Sequence, residues 1–176
     1  MAVSIEVIRQ LRDLTSASVS DCKQALDDAR GDLKQAQELL KKRGIEIAAK
    51  KAARTANQGR VEAYIHTGNK IGVLLELNCE TDFVARNDDF IRLARDVAMQ
   101  VAAADPRYAR AEDVPEEEIR GFDEKAKKDY LKAHVLACQP YIRDEKITIQ
   151  DLVTQAVAKI GENIVIRRFI RYKVGA

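Results

Sequence analysis

Tryptophan is absent and aromatic residues make up only 5% of the chain. That argues against a flat stacking surface for sugars or bases, which needs exposed rings. Histidine is scarce too. His66 and His134 stand far from any cysteine at ligand spacing, apart from His134 one turn before Cys138, a coincidence to be expected on an amphipathic helix. The three cysteines, Cys22, Cys79 and Cys138, are scattered with no Cys-x-x-Cys pair. Such a set reads as reduced thiols rather than a disulfide frame or a zinc site. There is no GxxxxGK(S/T) loop, no GxGxxG, no GxSxG and no HExxH, so the sequence offers no phosphate cradle, nucleophile elbow or zinc helix. Carboxylates abound, but no pair is set apart for acid–base work. The expectation is a protein that is no enzyme and carries neither metal nor cofactor.

Long apolar runs are missing as well. None approaches the roughly 20 residues needed to span a bilayer, and Met1 to Gln10 lacks the basic-then-apolar pattern of a signal peptide. A cytoplasmic protein without membrane contact is expected. Nor does one charge dominate: 30 basic residues face 28 acidic ones, too even a balance for a protein whose main partner is a phosphate backbone. Lys50, Lys51 and Arg54 read as a solvated helix face. Together with Arg167, Arg168 and Arg171 they form the alternative, a nucleic-acid surface, but no aromatic residue is interleaved with them.

What is present is an ordinary globular pattern, 46% hydrophobic over 176 residues, enough for one domain or one plus a small appendage. Ile5, Ile8, Leu11 and Leu14 make an apolar stripe at helical spacing. Ser18 with Asp21 starts a second helix with Cys22, Ala25, Leu26 and Ala29 inward, and Gly31 stops it. Asp32 caps a third, with Leu33, Ala36, Leu39 and Leu40 inward, ending at Gly44. Residues 1–44 thus read as a three-helix module and 45–59 as a linker helix. From residue 60 to 176 the period changes to that of an α+β core. Val61, Ala63 and Ile65 alternate with Glu62, Tyr64 and His66 as a half-buried strand. Gly68-Asn69 signals a hairpin turn, and Ile71, Val73, Leu75 and Leu77 alternate on the return. Asn87 caps a long helix with Phe90, Ile91, Ala94, Val97, Ala98 and Val101 inward, ending before Pro106. Pro115 opens a short acidic turn or helix. Ala126, Tyr130, Leu131 and Val135 mark another helix, and Thr148 with Asp151 starts the last, with Leu152, Val153, Ala156, Val157 and Ile160 inward. Ile164 to Lys173 reads as a final strand whose alternation fails at Arg167 and Arg168. A small antiparallel sheet of about three strands covered by helices follows from this order.

One stretch is not bland. Between the second strand and the long helix, Thr81 and Asp82 are capping types, while Phe83 and Val84 are apolar residues in a connection that should be exposed. From pattern alone, Phe83 is expected to fold back as a staple over the helix start.

Resemblance adds a second reading. Glu76-Leu77-Asn78-Cys79-Glu80-Thr81-Asp82-Phe83-Val84-Ala85-Arg86-Asn87 resembles the signature of the elongation factor Ts family. Leu11-Arg12-Asp13-Leu14-Thr15 through Asp21-Cys22-Lys23-Gln24-Ala25-Leu26 is similar to that family's first signature, and Lys159-Ile160-Gly161-Glu162-Asn163-Ile164 to a third stretch. The resemblance implies a guanine-nucleotide exchange factor for the GTPase elongation factor Tu, with a ubiquitin-associated-like N-terminal module. It assigns Thr81, Asp82, Phe83 and Val84 to the disturbance of the GTPase's magnesium site, and Leu11, Arg12, Val19 and Asp21 to N-terminal docking. The chain departs from the family at Ser16, Ser18 and Ser20, where only Val19 remains of an apolar pair. It also holds one sheet-building set where long members have two, so a homodimer is expected. A ubiquitin-associated-type adaptor for another partner is the alternative; it leaves the Thr81–Asn87 corner unexplained.

Overall fold

The computed structural model describes residues 3–15 and 17–175, so Ser16 lies outside the described residues. The elements in chain order are α1 (Ile5–Thr15), α2 (Val19–Asp28), α3 (Leu33–Lys51), β1 (Gln58–Ile65), β2 (Ile71–Cys79), α4 (Asp82–Ala85) and α5 (Asp88–Ala104). Then follow α6 (Glu116–Ile119), α7 (Glu124–His134), β3 (Pro140–Tyr141), β4 (Asp144–Thr148), α8 (Ile149–Ile160) and β5 (Val165–Lys173), with short 3-10 turns at Ala111–Asp113 and Leu136–Cys138. The architecture is α+β. Two compact units are present, Met1–Arg54 with Thr154–Asn163, and Thr55–Val153 with Ile164–Ala176.

In the first unit the helix starts follow from their caps. Ser18 Oγ accepts from the Asp21 amide at 3.1 Å, and Asp32 Oδ1 accepts from Lys34 and Gln35 at 2.8 and 3.0 Å. Arg30 and Gly31 take positive φ, and the Gly31 amide donates to Leu26 O at 2.8 Å, turning the chain out of α2. Leu11, Cys22, Ala25, Leu26 and Ala36 are buried together as the core of α1–α3. Ile5 and Leu14, expected in the same stripe, are exposed. A strict three-residue spacing drifts by about 60° per step around a helix, so the ends of the stripe rotate away from Leu11.

The expected stop at Gly44 does not occur. α3 runs through Gly44 to Lys51, so the third helix and the linker helix expected over 45–59 are one, and a strand begins at Gln58. Gly44 has no positive φ and is tolerated inside the helix beside α8, where a Cβ would make only an ordinary contact, 3.7 Å from the Ala158 methyl. Below it, Asn163 Nδ2 donates to Ala52 O at 3.4 Å and Arg54 O at 2.8 Å, and Lys51 Nζ donates to Gly161 O. The Lys159–Ile164 stretch therefore fastens the carboxyl end of α3.

The second unit is built on an antiparallel sheet in the order β1-β2-β5. Gly68 and Asn69 adopt positive φ in the hairpin turn, as their residue types require. Val73, Leu75, Leu77 and Cys79 of β2 are buried, and α5 packs across the sheet with Phe90, Leu93, Ala94, Val97, Ala98 and Val101 buried. β1 is inverted relative to the expectation. The hairpin register sets Glu62 opposite Leu75 and Val61 opposite Glu76. Opposed residues share a face, so the stronger apolar row of β2 goes inward and takes Glu62 with it. Val61, Ala63 and Ile65 are left outside. Glu62 is neutralised there by Arg60 at 2.7 Å. The failed alternation of the last strand is a β-bulge: Glu76 pairs with Arg168 and Leu77 with Ile166, leaving Arg167 as the extra residue.

Between α5 and α8 the chain makes an excursion the sequence pattern only partly anticipates. The β3–β4 hairpin, which the periodicity does not signal, is held by the buried Gln100. Its Nε2 donates to Gln139 Oε1 at 3.2 Å and Pro140 O at 3.1 Å, while its Oε1 accepts from the Ile142 amide at 2.9 Å. In α7, Val135 follows as a buried residue and Tyr130 and Leu131 are half-buried, but Ala126, expected inward, is exposed. The segment closes on Glu118. Tyr108 Oη donates to Glu118 Oε1 at 2.6 Å, Tyr130 Oη donates to Oε2, and Arg107 grips both oxygens at 3.0 and 3.1 Å. The Tyr108 hydroxyl above all, then Tyr130 and Arg107, hold the Glu118 carboxyl below its ordinary value. A folded carboxyl with a lowered pKa contributes stability that is present above its unfolded value and lost as pH falls. Hydrogen exchange followed against pH should therefore show α6 and α7 losing protection below about pH 4.3. Glu118→Gln should lower that protection at neutral pH and abolish the acid step.

Candidate partner-binding site

The corner between β2 and α5 is built by successive caps. Thr81 is the N-cap of α4, its Oγ1 accepting from the Val84 amide at 3.4 Å. The Arg86 amide donates to Phe83 O at 3.2 Å and the Asn87 amide to Val84 O at 2.9 Å, closing the single turn. Asn87 then caps α5 by accepting from Asp89 at 2.8 Å. Ala85 faces inward and is buried, so the turn is seated on the sheet side while its opposite side is displayed. Beneath it, Gly59 lies so close to β2 that a Cβ would fall 2.2 Å from Leu77 O; only glycine permits that approach.

Phe83 projects from this turn 80% exposed. The staple expected from pattern alone is absent: the ring does not fold back over α5. The cause is the extra turn α4, which spends Thr81 as its own cap and points Phe83 outward before α5 begins. Asp82 is half-exposed and paired with Arg86 at 2.9 Å one turn on, a pairing not read from the sequence although the four-residue spacing carries it. Val84 is half-buried at the edge of the turn. Thr81, Asp82, Phe83 and Val84 are thus brought together on one rigid corner of the second unit.

The N-terminal candidates belong to the first unit and divide by burial. Leu11 is fully buried in the α1–α3 core, so its side chain packs inside the module rather than lying at its surface. Arg12 and Val19 are exposed, and Asp21 is exposed with its carboxylate accepting from Ser18 Oγ at 2.5 Å. Ile5 and Leu14 are further exposed apolar side chains of this unit that the stripe reading had placed inside.

Among the described residues no group of three or more His, Cys, Asp or Glu could hold a metal ion, and no helix is long and apolar enough to cross a membrane. Burial raises the Cys22 and Cys138 thiols above their ordinary range, which disfavours the reactive thiolate. Of the basic residues weighed as a nucleic-acid surface, Arg168 is paired with Glu76 at 2.6 Å and Arg171 with Asp105 at 3.0 Å. Lys51 is engaged with the Gly161 carbonyl.

Comparison with known proteins points one way. The model of the family described as Elongation factor TS matches residues 4–133. The chain is 45% identical to the Elongation factor Ts of Carboxydothermus hydrogenoformans over 194 aligned positions, covering 98% of this chain and 89% of that protein. It is likewise 45% identical to that of Heliobacterium modesticaldum, covering 98% and 90%, and 43% identical to that of Coprothermobacter proteolyticus, covering 99% and 100%.

The burial contrast in the first unit has a measurable outcome. Leu11→Ala should lower stability by about 2–5 kcal/mol, as core truncations do. Val19→Ala and Arg12→Ala should shift it by no more than about 0.5 kcal/mol. Thermal unfolding of the three variants checks this.

Proposed function

The chain belongs to the elongation factor Ts family and is a translation elongation factor, and we propose that it acts as the guanine-nucleotide exchange factor of elongation factor Tu. The observation that carries the reading is Phe83, an aromatic side chain 80% exposed on a one-turn helix capped at both ends. A large apolar side chain held out to water by a stiff support is placed to enter a partner. Asp82 beside it brings a carboxylate to the same point. In this reading the corner enters beside the bound nucleotide and disturbs the magnesium and phosphate contacts, while Arg12, Val19 and Asp21 of the first unit dock the nucleotide-binding domain. The factor contributes no bond-making chemistry and needs neither cofactor, metal nor nucleic acid.

Magnitudes set what the corner must share with the rest of the interface. Burying one Phe contributes about 1.5–3 kcal/mol, whereas weakening a bound nucleotide a thousandfold requires roughly 4 kcal/mol. Phe83 therefore works with a docking surface that holds the GTPase open. Linkage makes the effect reciprocal: nucleotide weakens the factor as much as the factor weakens nucleotide. The factor binds the GDP-bound and nucleotide-free GTPase, and incoming GTP displaces it.

The second copy of a homodimer fits the outer face of the β1-β2-β5 sheet. Across the strands Ala63, Leu74 and Ile170 form one row and Ile65, Gly72 and Tyr172 the next, and Val61, Ile65, Leu74, Ile170 and Tyr172 are all exposed. Beside these rows the same face carries the Glu76–Arg168 ion pair, and exposed apolar rows of this kind favour covering by a second copy about a two-fold axis.

Release of a fluorescent GDP analogue from elongation factor Tu tests the function. The chain should accelerate release strongly, and Phe83→Ala should reduce the maximal rate more than tenfold while binding weakens far less. Equal loss of both removes the wedge from the account, and no acceleration removes the exchange reading. For the dimer, sedimentation equilibrium should give twice the 19.7 kDa chain mass. Leu74→Glu with Ile170→Glu should return it to a single chain; a parent protein already at the single-chain mass refutes the pairing.

A further inference from the structure

We propose that the buried thiol of Cys79 is a positioning residue for Phe83, acting through the carbonyl of Thr81; the inference rests on the exchange reading and deepens it. Cys79 is the last residue of β2, opposite Gln58 of β1, and is fully buried. Its side chain turns back under the corner and Sγ donates to Thr81 O at 3.0 Å. The same carbonyl accepts from the Ala85 amide at 3.3 Å, the bond that closes α4. One oxygen thus receives a donor from the sheet and a donor from the helical turn. The peptide plane from which α4 departs is set relative to β2 by that shared acceptor.

The geometry matters because α4 is only four residues long. A single turn does not hold itself, since the first helical hydrogen bond fixes several dihedrals for one bond. Its direction must come from anchors outside it. Thr81 Oγ1 anchors the turn to its own start, but a cap of that kind moves with the turn. The Cys79 thiol ties the turn to the sheet. With the tie removed, the turn opens more often and its aim spreads, and Phe83 reaches the pose that opens the GTPase less often. A misaimed wedge costs rate at saturation rather than docking, because the surfaces that dock are untouched.

The test uses the full chain with Cys79→Ala, which removes the donor, and Cys79→Ser, which retains one. Release of the fluorescent GDP analogue is followed across a range of factor concentrations, together with hydrogen exchange at the Val84 and Ala85 amides and thermal unfolding. For Cys79→Ala the maximal release rate should fall by about twofold to fivefold, the upper end being the change expected for one ordinary net hydrogen bond and the thiol being a weaker donor. Its half-saturating concentration should stay within about twofold, and the Val84 and Ala85 amides should exchange faster. Cys79→Ser should recover part of both effects. The proposal is overturned if Cys79→Ala matches the parent in rate and exchange, or if Ser and Ala behave alike. It is equally overturned if the rate and the unfolding temperature fall while the half-saturating concentration rises, which marks general destabilisation. Should the parent chain not accelerate release at all, the exchange reading fails, and the amide exchange of the two variants still decides whether Cys79 aims the turn.

Discussion

Val73, Leu75, Leu77 and Cys79 of β2 present one continuous apolar row to α5, and α5 answers with Phe90, Leu93, Ala94 and Val97. The row is four residues of strict alternation on the central strand, and everything in the second unit takes its orientation from it. It decides which face of β1 is buried, against β1's own composition. It leaves Leu74 outside. It also fixes the distance and angle between the end of β2 and the start of α5, so the chain joining them is short and tied at both ends. A flexible connection there would average the position of Phe83 over many directions. The strand–helix contact converts an exposed aromatic residue into an aimed one.

The first unit obeys a different constraint. Its core is small, with Leu11 and Leu26 the large side chains among alanines and Cys22, and a module of that size is marginal by itself. The stretch from Lys159 to Ile164 adds to it from the far end of the sequence, closing the last turn of α3 through Asn163 and Gly161. A stretch that resembles a recurrent family segment is here a structural fastening. Leu11 makes the same point from within a signature: a residue can recur in a family because it packs, while its neighbours Arg12 and Val19 remain available at the surface.

Capping residues were the most legible part of the chain. Ser18, Asp32, Thr81, Asn87 and Thr148 each stand where their side chains meet orphan amides, because a cap is a local bond between near neighbours. The apolar stripes of α5 and α8 were legible for the same reason. What failed were readings that depend on distant partners. The outward face of β1 is set by hairpin register, α3 continues through Gly44 into the segment that Asn163 holds, and Gln100 is buried by a hairpin forty residues on. The bulge at Arg167 was visible only as a broken alternation. At the site, the residue types of the corner could be read, but the direction of Phe83 could not. An aromatic residue beside a helix start can turn in or out, and the added turn of α4 decides it.

The strand order has a consequence for how the protein is made. β2 lies between β1 and β5, yet β5 begins only at Val165, near the carboxyl terminus. While the chain is being synthesised, at roughly 5–20 residues per second, the hairpin of β1 and β2 emerges and waits for several seconds with one edge of its central strand unpaired. α5 can cover the inner face in that interval, but the edge remains open until β5 has emerged. A factor that serves translation thus closes its own sheet late, once the distant β5 has followed its central strand, and until then one edge of β2 is open to pairing.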